Sequence, residues 1–292
     1  MKVGLIGVGA MGGPMAANLV KAGHELTIYD TDTARAAKLA AEIGAKSAAK
    51  LADLVDNEAI VTMLPTGPIV RSVFLEADGG ALAKALRPGT LVIDMSSSEP
   101  VGTQELGAEI AKTGAVLIDA PVSGGVARAV TGELTIMIGG DDKAAVERSK
   151  PLLLAMGKRL FDTGLLGSGH AMKALNNYVS AAAYTATAEA LLIGKRFGLD
   201  PGAMIDIMDV STGKNFHTQN TMKDHVIGQK YATGFAVGLL AKDVKIASDL
   251  GKAVGLDAPV SRLISDRWAQ ARDELGATKD NSEAITAWEK DL

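Results

Sequence analysis

The stretch Lys2-Val3-Gly4-Leu5-Ile6-Gly7-Val8-Gly9-Ala10-Met11-Gly12 decides how the first half of the chain is read. Lys2 to Ile6 is a short apolar strand pattern, and Pro14 to Ala22 has helical spacing. The glycines of G-x-G-x-x-G therefore fall at a strand-to-helix turn. Gly7 permits the tight turn, Gly9 lets a pyrophosphate approach the backbone, and Gly12 lets the helix pack on the strand. The motif alone is weak evidence; directly after a strand it points to a dinucleotide. Gly7, Gly9, Ala10, Met11 and Gly12 are the first cofactor-binding candidates.

Working outward, the β-prone run Leu26-Thr27-Ile28-Tyr29 ends at Asp30, 18 residues after Gly12. A carboxylate there can bond the adenosine ribose hydroxyls and repels a 2′-phosphate. No arginine occupies 31–33, and Asp32 adds negative charge. This favours NAD, with NADP still possible. The plain alternative is that Asp30 caps the helix starting near Thr33. Further apolar runs follow at Ala59–Leu64, Leu91–Met95, Val116–Asp119, Leu134–Ile138 and Arg159–Phe161, with helical spacers between most of them. Such runs imply a parallel sheet covered on both faces, with ligands at the carboxyl ends of its strands. Leu64, Pro65 and Ser96 fall at such ends, as does the turn Ser123-Gly124-Gly125. That turn can offer backbone N–H groups and a hydroxyl to a carboxylate, or be a flexible loop.

From Ser168 to Phe197 the chain is rich in Ala, Leu and Met and contains no proline. Ser168 is the expected N-cap, and Gly198, Asp200 and Pro201 end the run. A helix of about 30 residues spans about 45 Å, long enough to join two domains. Lys173 and Asn177 share one face of it, with Asn176 beside them. Lys173 is either a solvated charge or an acid–base group. In the second case the positive end of the helix dipole helps its ammonium release a proton. His170 is read as a helix-start residue.

After Pro201 the pattern is helical: Ala203–Asp209, Thr221–Ile227, Ala241–Val254, Ser261–Glu274 and Ser282–Trp288. The expected division is 1–163 for a dinucleotide-binding domain, 164–197 for the connecting helix and 198–292 for an all-α domain, with a cleft beside the helix. The polar loop Ser211–His217 and the pair Lys242-Asp243 are candidates to reach that cleft. Their plain readings are a solvated loop and a solvated ion pair.

Composition narrows the partners. The 292 residues are 47% hydrophobic and 22% charged, with a net charge of -4. An acidic chain is a poor match for nucleic acid. With no cysteine there is no thiol nucleophile or thiolate metal site, and the four histidines lack zinc-ligand spacing. No metal is expected. No leader-like segment or bilayer-length apolar run is present, so a cytoplasmic protein without membrane partners is the expectation.

Three motifs in this order resemble the β-hydroxyacid dehydrogenase family over the whole length: Gly4–Gly12, Asp119-Ala120-Pro121-Val122-Ser123-Gly124-Gly125, and Gly167-Ser168-Gly169 through Lys173 to Asn176-Asn177. Lys242-Asp243 fits the same pattern. The resemblance implies a Rossmann-like domain joined by a long helix to an all-α domain. It also implies NAD(P)-dependent interconversion of a small 3-hydroxy acid and its semialdehyde. Lys173 would be the catalytic acid–base group, and Asn177 would orient it and the substrate, beside Asn176. Ser123, Gly124 and Gly125 would hold the substrate's acid group, carboxylic or sulfonic, and Lys242 would lie near the nicotinamide. A homodimer or homotetramer packed through the helical domain is also implied. The Ser211–His217 loop matches no single substrate, so tartronate semialdehyde, succinic semialdehyde and a sulfonate analogue stay open. An imine reductase would lack the lysine. A phosphosugar-acid dehydrogenase would need a basic phosphate pocket, and a non-catalytic nucleotide-binding protein would have no reason to keep Lys173 and Asn177.

Overall fold

The structure, a computed structural model, describes residues 1–290. The chain divides into two compact units, Met1–Lys173 and Ala174–Leu292. The first unit opens β1 (Lys2–Ile6), α1 (Gly12–Lys21), β2 (Glu25–Tyr29), α2 (Thr33–Ile43), β3 (Lys46–Ser47), β4 (Ala59–Thr62), α3 (Gly67–Leu75), α4 (Ala81–Ala85) and β5 (Leu91–Asp94). It continues through α5 (Pro100–Ala111), β6 (Val116–Asp119), β7 (Val122–Ser123), α6 (Gly125–Thr131), β8 (Leu134–Gly139), α7 (Lys143–Met156) and β9 (Gly157–Gly164).

Strands β3-β2-β1-β4-β5-β6 are parallel neighbours in that order. The order reverses between β1 and β4, which opens a crevice at their carboxyl ends. Beyond β6 the sheet turns antiparallel. β8 pairs with β6 through Asp119 and Gly139 and with β7 through Val122 and Ser123, while β9 runs parallel to β8 on its other side. The mainly parallel sheet expected from the apolar runs is present, with β8 and β9 as its reversed strands.

Alternation along each strand feeds two separate cores. Leu5, Val61, Ile93 and Ile118 face Leu19 of α1 and Leu152 of α7. Their neighbours Ile6, Ile60, Val92 and Leu117 face Phe74 of α3 and Ile110 of α5. This is why the strands read as unbroken apolar runs: both faces are covered. Each such side chain taken from water contributes roughly 1.5–3 kcal/mol.

Helix α8 (Ser168–Phe197) crosses the junction between the units, which falls after Lys173. The second unit adds α9 (Pro201–Asp209), α10 (Phe216–Asn220), a wider-wound turn at Met222–Ile227, α11 (Val237–Ala253), α12 (Pro259–Leu275) and α13 (Ala284–Glu289). The expected helix over Thr221–Ile227 is thus a π-type turn following a short α-helix that Asn215 caps through bonds from His217 N and Thr218 N. Among the described residues, no helix is long and apolar enough to cross a membrane.

An aromatic cluster holds the second unit together. Tyr184 of α8 meets Trp268 of α12 at 5.4 Å between ring centroids, Trp288 of α13 at 6.0 Å and His217 of α10 at 5.3 Å. The Tyr184 hydroxyl donates to Ser282 O at 2.7 Å, and Trp268 Nε1 donates to Thr185 Oγ1 at 3.0 Å, so the polar edges are satisfied. The polar loop Ser211–His217, whose plain reading is a solvated loop, ends inside a core: His217 is buried, with Nε2 2.9 Å from Ser180 O and Nδ1 3.1 Å from Thr221 Oγ1.

Burial, outweighing the bond to the Ser180 carbonyl, holds the His217 imidazole below its ordinary value. The unfolded chain then binds a proton that the folded chain refuses. Stability should be full above about pH 6.5 and decline as the pH falls below it. His217→Gln should flatten that decline in urea unfolding curves between pH 7 and 5, leaving the part due to His24, which burial shifts the same way. An unaltered slope would exclude His217 as its source.

Candidate active site

The leading turn is shaped by contacts that only glycine permits. A Cβ on Gly12 would stand 1.9 Å from Gly7 O, and one on Gly7 would stand 2.4 Å from Met63 O. Gly9 is different: it is exposed, with nothing within 4 Å of a Cβ built on it. Packing explains two glycines and leaves open space over the third, where a pyrophosphate would lie against the backbone. Ala10 is exposed beside it, and Met11 precedes α1. The turn fits a dinucleotide.

Asp30 ties that turn to β2. Its Oδ2 accepts from Val8 N at 2.9 Å, and its Oδ1 accepts from Asp32 N at 2.9 Å and from Arg35 Nη2 at 2.8 Å. Burial would raise the carboxyl, but the bonds from Arg35, Val8 and Asp32 prevail and hold it below its ordinary range. The capping alternative for Asp30 is not observed: Asp32 is the cap of α2, accepting from Arg35 N at 3.0 Å. Arginine is absent at 31–33, yet Arg35 reaches back one turn to the same carboxylate.

At the end of β4, Leu64 N donates to Ser96 Oγ at 2.9 Å. Ser96 is buried, and its own N–H donates to Asp94 Oδ1 at 3.0 Å. The Ser96 side chain thus sets the loop at Leu64 and Pro65, while Pro65 itself is exposed. Ser123 ends β7 half-buried; Gly124 and Gly125 follow it, both exposed, at the start of α6.

The start of α8 is held differently from the sequence expectation. Ser168 is not the cap; its hydroxyl lies 2.8 Å from Thr163 Oγ1. The cap is the carboxylate of Asp119, at the end of β6, which accepts from Gly167 N and His170 N at 2.7 Å each. An anion at a helix N-terminus is favoured by the orphan N–H groups and the dipole. The approach is close: a Cβ on Gly169 would stand 2.4 Å from Met137 O and 2.8 Å from Asp119 Oδ2. Gly167-Ser168-Gly169 is therefore a contact surface as well as a turn. Lys173 follows in the second turn of α8, half-buried, in the same unit as the glycine turn and Ser123.

Residues 2–165 match a family described as the NAD binding domain of 6-phosphogluconate dehydrogenase. Residues 167–288 match one described as the NAD-binding of NADP-dependent 3-hydroxyisobutyrate dehydrogenase. The chain is 34% identical to 2-(hydroxymethyl)glutarate dehydrogenase of Eubacterium barkeri over 99% of its own length and 95% of that protein. It is 40% identical to the mitochondrial 3-hydroxyisobutyrate dehydrogenase of Mus musculus, over 85% of this chain and 75% of that one. The solved structure of Mycobacterium tuberculosis 3-hydroxyisobutyrate dehydrogenase with L-serine superposes with a TM-score of 0.88, at 32% identity and 98% coverage of both chains. The chain belongs to the β-hydroxyacid dehydrogenase family. It is an oxidoreductase that uses a nicotinamide dinucleotide.

In the second unit of this β-hydroxyacid dehydrogenase, Asn177 is buried in α8, and its Nδ2 donates to Asp243 Oδ2 at 2.6 Å. Asn176, exposed, donates from Nδ2 to Asn177 Oδ1 at 3.2 Å. The Lys242 ammonium stands 3.0 Å from Asp243 Oδ1, an ion pair rather than an aligned hydrogen bond. Asp243 is buried and Lys242 mostly so; the solvated-pair reading of Lys242-Asp243 does not hold. Sequence reasoning passed over Asp243 as the partner of Asn177, Asp119 as the cap, and Arg35. An acid closing each of two buried strands, Asp94 and Asp119, was the available signal for the second.

Asp119→Asn keeps the shape but turns one acceptor into a donor facing an N–H. Loss of a charge-assisted bond in a buried place should cost roughly 2–3 kcal/mol. Urea unfolding of the two proteins at pH 7 measures it, and a difference under about 0.5 kcal/mol would remove Asp119 from that role.

Proposed function

We propose that this dehydrogenase interconverts a small 3-hydroxy acid and its semialdehyde, with Lys173 as the general acid–base group. The observation that carries the reading is the pinned start of α8: the Asp119 cap holds the lysine-bearing turn against the carboxyl ends of the strands, in the unit that contains the open turn at Gly9. Hydroxymethylglutarate, hydroxyisobutyrate and serine, named for the similar proteins, have in common a hydroxyl on the carbon β to a carboxylate.

In the oxidation direction the neutral Lys173 amine accepts the hydroxyl proton as the C–O bond becomes a carbonyl. In reduction the ammonium returns it and stabilises the negative charge gathering on that oxygen. A bound nicotinamide dinucleotide supplies the hydride acceptor or donor. Ser123, Gly124 and Gly125 hold the acid group, which decides which carbon faces the cofactor. Asn177, whose amide is fixed by Asp243, orients the hydroxyl and the amine, with Asn176 beside it and Lys242 near the nicotinamide. Gly7, Gly9, Ala10, Met11, Gly12, Leu64, Pro65 and, through Leu64, Ser96 hold the cofactor. Assembly through the helical unit as a homodimer or homotetramer belongs to the same proposal. The exposed Phe197, Ile207 and Val210 support it. Placement in the cytoplasm is part of the same proposal.

Lys173→Ala should retain NAD binding while kcat falls by about 10² or more with 3-hydroxyisobutyrate, L-serine or 2-(hydroxymethyl)glutarate, whichever turns over fastest. Near-normal turnover would remove the lysine from the chemistry. NAD over NADP rests on Asp30. Asp30→Ala removes the charge and frees Arg35, so the kcat/KM ratio of NADP to NAD should rise at least about tenfold, equivalent to about 1.4 kcal/mol. A wild-type preference for NADP would contradict this assignment.

A further inference from the structure

The first unit buries a titratable cluster at the carboxyl ends of β5 and β6, of which the His170 side chain has had no part so far. Asp94 and Asp119 are register partners on adjacent strands, and both are fully buried. Each closes its strand and is met there by donors. Thr62 Oγ1 and Ser96 N donate to Asp94 Oδ1, and Ser98 Oγ donates to Asp94 Oδ2 at 2.7 Å. The His170 imidazole, also fully buried, stands between the two acids. Its Nε2 is 3.6 Å from Asp94 Oδ2, longer than a usual N–H to O hydrogen bond. Its Nδ1 is 2.8 Å from Thr103 Oγ1 of α5 and 3.8 Å from Asp119 Oδ2.

A buried histidine is ordinarily a satisfied core residue. This one is not satisfied: Nε2 is buried with no hydrogen-bond partner. Such an orphan is a cost that an apolar side chain of similar size would avoid. Asp94 Oδ2, which accepts from Ser98 Oγ, is an acceptor facing Nε2, so the hydrogen of the imidazole belongs on Nε2. Nδ1 then accepts from the Thr103 hydroxyl, whose hydrogen Glu99 O, at 3.1 Å, also attracts.

The cluster has two ends, and both lie at places already described. From Asp94, Ser96 leads to the Leu64 amide in the cofactor loop. From His170, the backbone leads to the Asp119 cap and, three residues on, to Lys173. We propose that His170 is a positioning residue for hydride transfer: through Asp94 and Thr103 it sets the first turn of α8 against the Leu64–Pro65 loop, and so sets where the Lys173 amine stands relative to the bound cofactor. This rests on the acid–base reading of Lys173. A shift of about 1 Å in a catalytic group costs on the order of 10² in rate, so a small change in this turn is enough to be read.

The test uses the full chain with NAD and the best acid of the panel above. In His170→Leu, NAD affinity by fluorescence titration should stay within about twofold and the melting temperature within a few degrees. kcat should fall by at least about tenfold, and the limb of the kcat–pH profile due to the lysine should move. His170→Gln, whose amide offers Asp94 a donor and Thr103 an acceptor, should restore most of kcat. Thr103→Val, which removes only the Nδ1 partner, should lower kcat about threefold or more and provides the reading if His170→Leu does not fold. Unchanged kcat and pH limb in a folded His170→Leu or in Thr103→Val would overturn the proposal. So would a loss seen only in the KM for NAD. If Lys173→Ala also keeps its turnover, the reaction reading itself has failed; if only the His170 and Thr103 variants are silent, the positioning role alone has failed.

Discussion

One carboxylate sets the geometry on which the rest depends. Asp119 leaves the end of β6 with no exposure to solvent and takes both Gly167 N and His170 N. A 30-residue helix is thereby started at a strand end rather than in a loop. The arrangement suits both partners: the helix loses two orphan N–H groups, and the buried acid gains the only kind of neighbour that makes its charge tolerable. It also demands close approach. Gly169 sits against Met137 O, Gly139 would place a Cβ 2.4 Å from Asp119 Oδ1, and Gly167 would place one 2.9 Å from Pro100 O. Side chains at these positions would lift the helix off the sheet and carry Lys173 with it.

The glycine turn follows a different logic. Gly7 and Gly12 are required by the turn's own packing, whereas over Gly9 the structure leaves space. Asp30 links this turn to β2 through Val8 N and draws Arg35 in from α2. Asp30 is thus a structural tie, with the half-exposed Arg35 guanidinium bonded to it.

In the helical unit, the aromatic cluster around Tyr184 and the buried Asp243 do comparable work. The first fixes α8 against α12 and α13. The second holds Asn177 by its amide nitrogen, which turns the amide oxygen toward Asn176. A sequence reader sees Lys242-Asp243 as a solvated pair because neighbours in a sequence so often are. Burial of Asp243 reverses that: the acid is held there by the Asn177 amide and the Lys242 ammonium.

Local sequence by itself determined most of the elements and their kinds, the turn at Met222–Ile227 excepted. The apolar runs ending at Ile6, Leu64, Asp94 and Asp119 could only be strands buried on both faces. The proline-free run to Phe197 could only be a long helix, and G-x-G-x-x-G between a strand and a helix could only be a close turn. These are short-range consequences of periodicity and backbone sterics. Tertiary structure decided which groups meet. Asp119 caps a helix that begins 49 residues later, His170 lodges between two strand ends, and His217 leaves a polar loop for an aromatic core. No local pattern specifies such pairings, because a buried polar atom takes its partner from whatever the fold brings within about 3 Å, however far away in the chain.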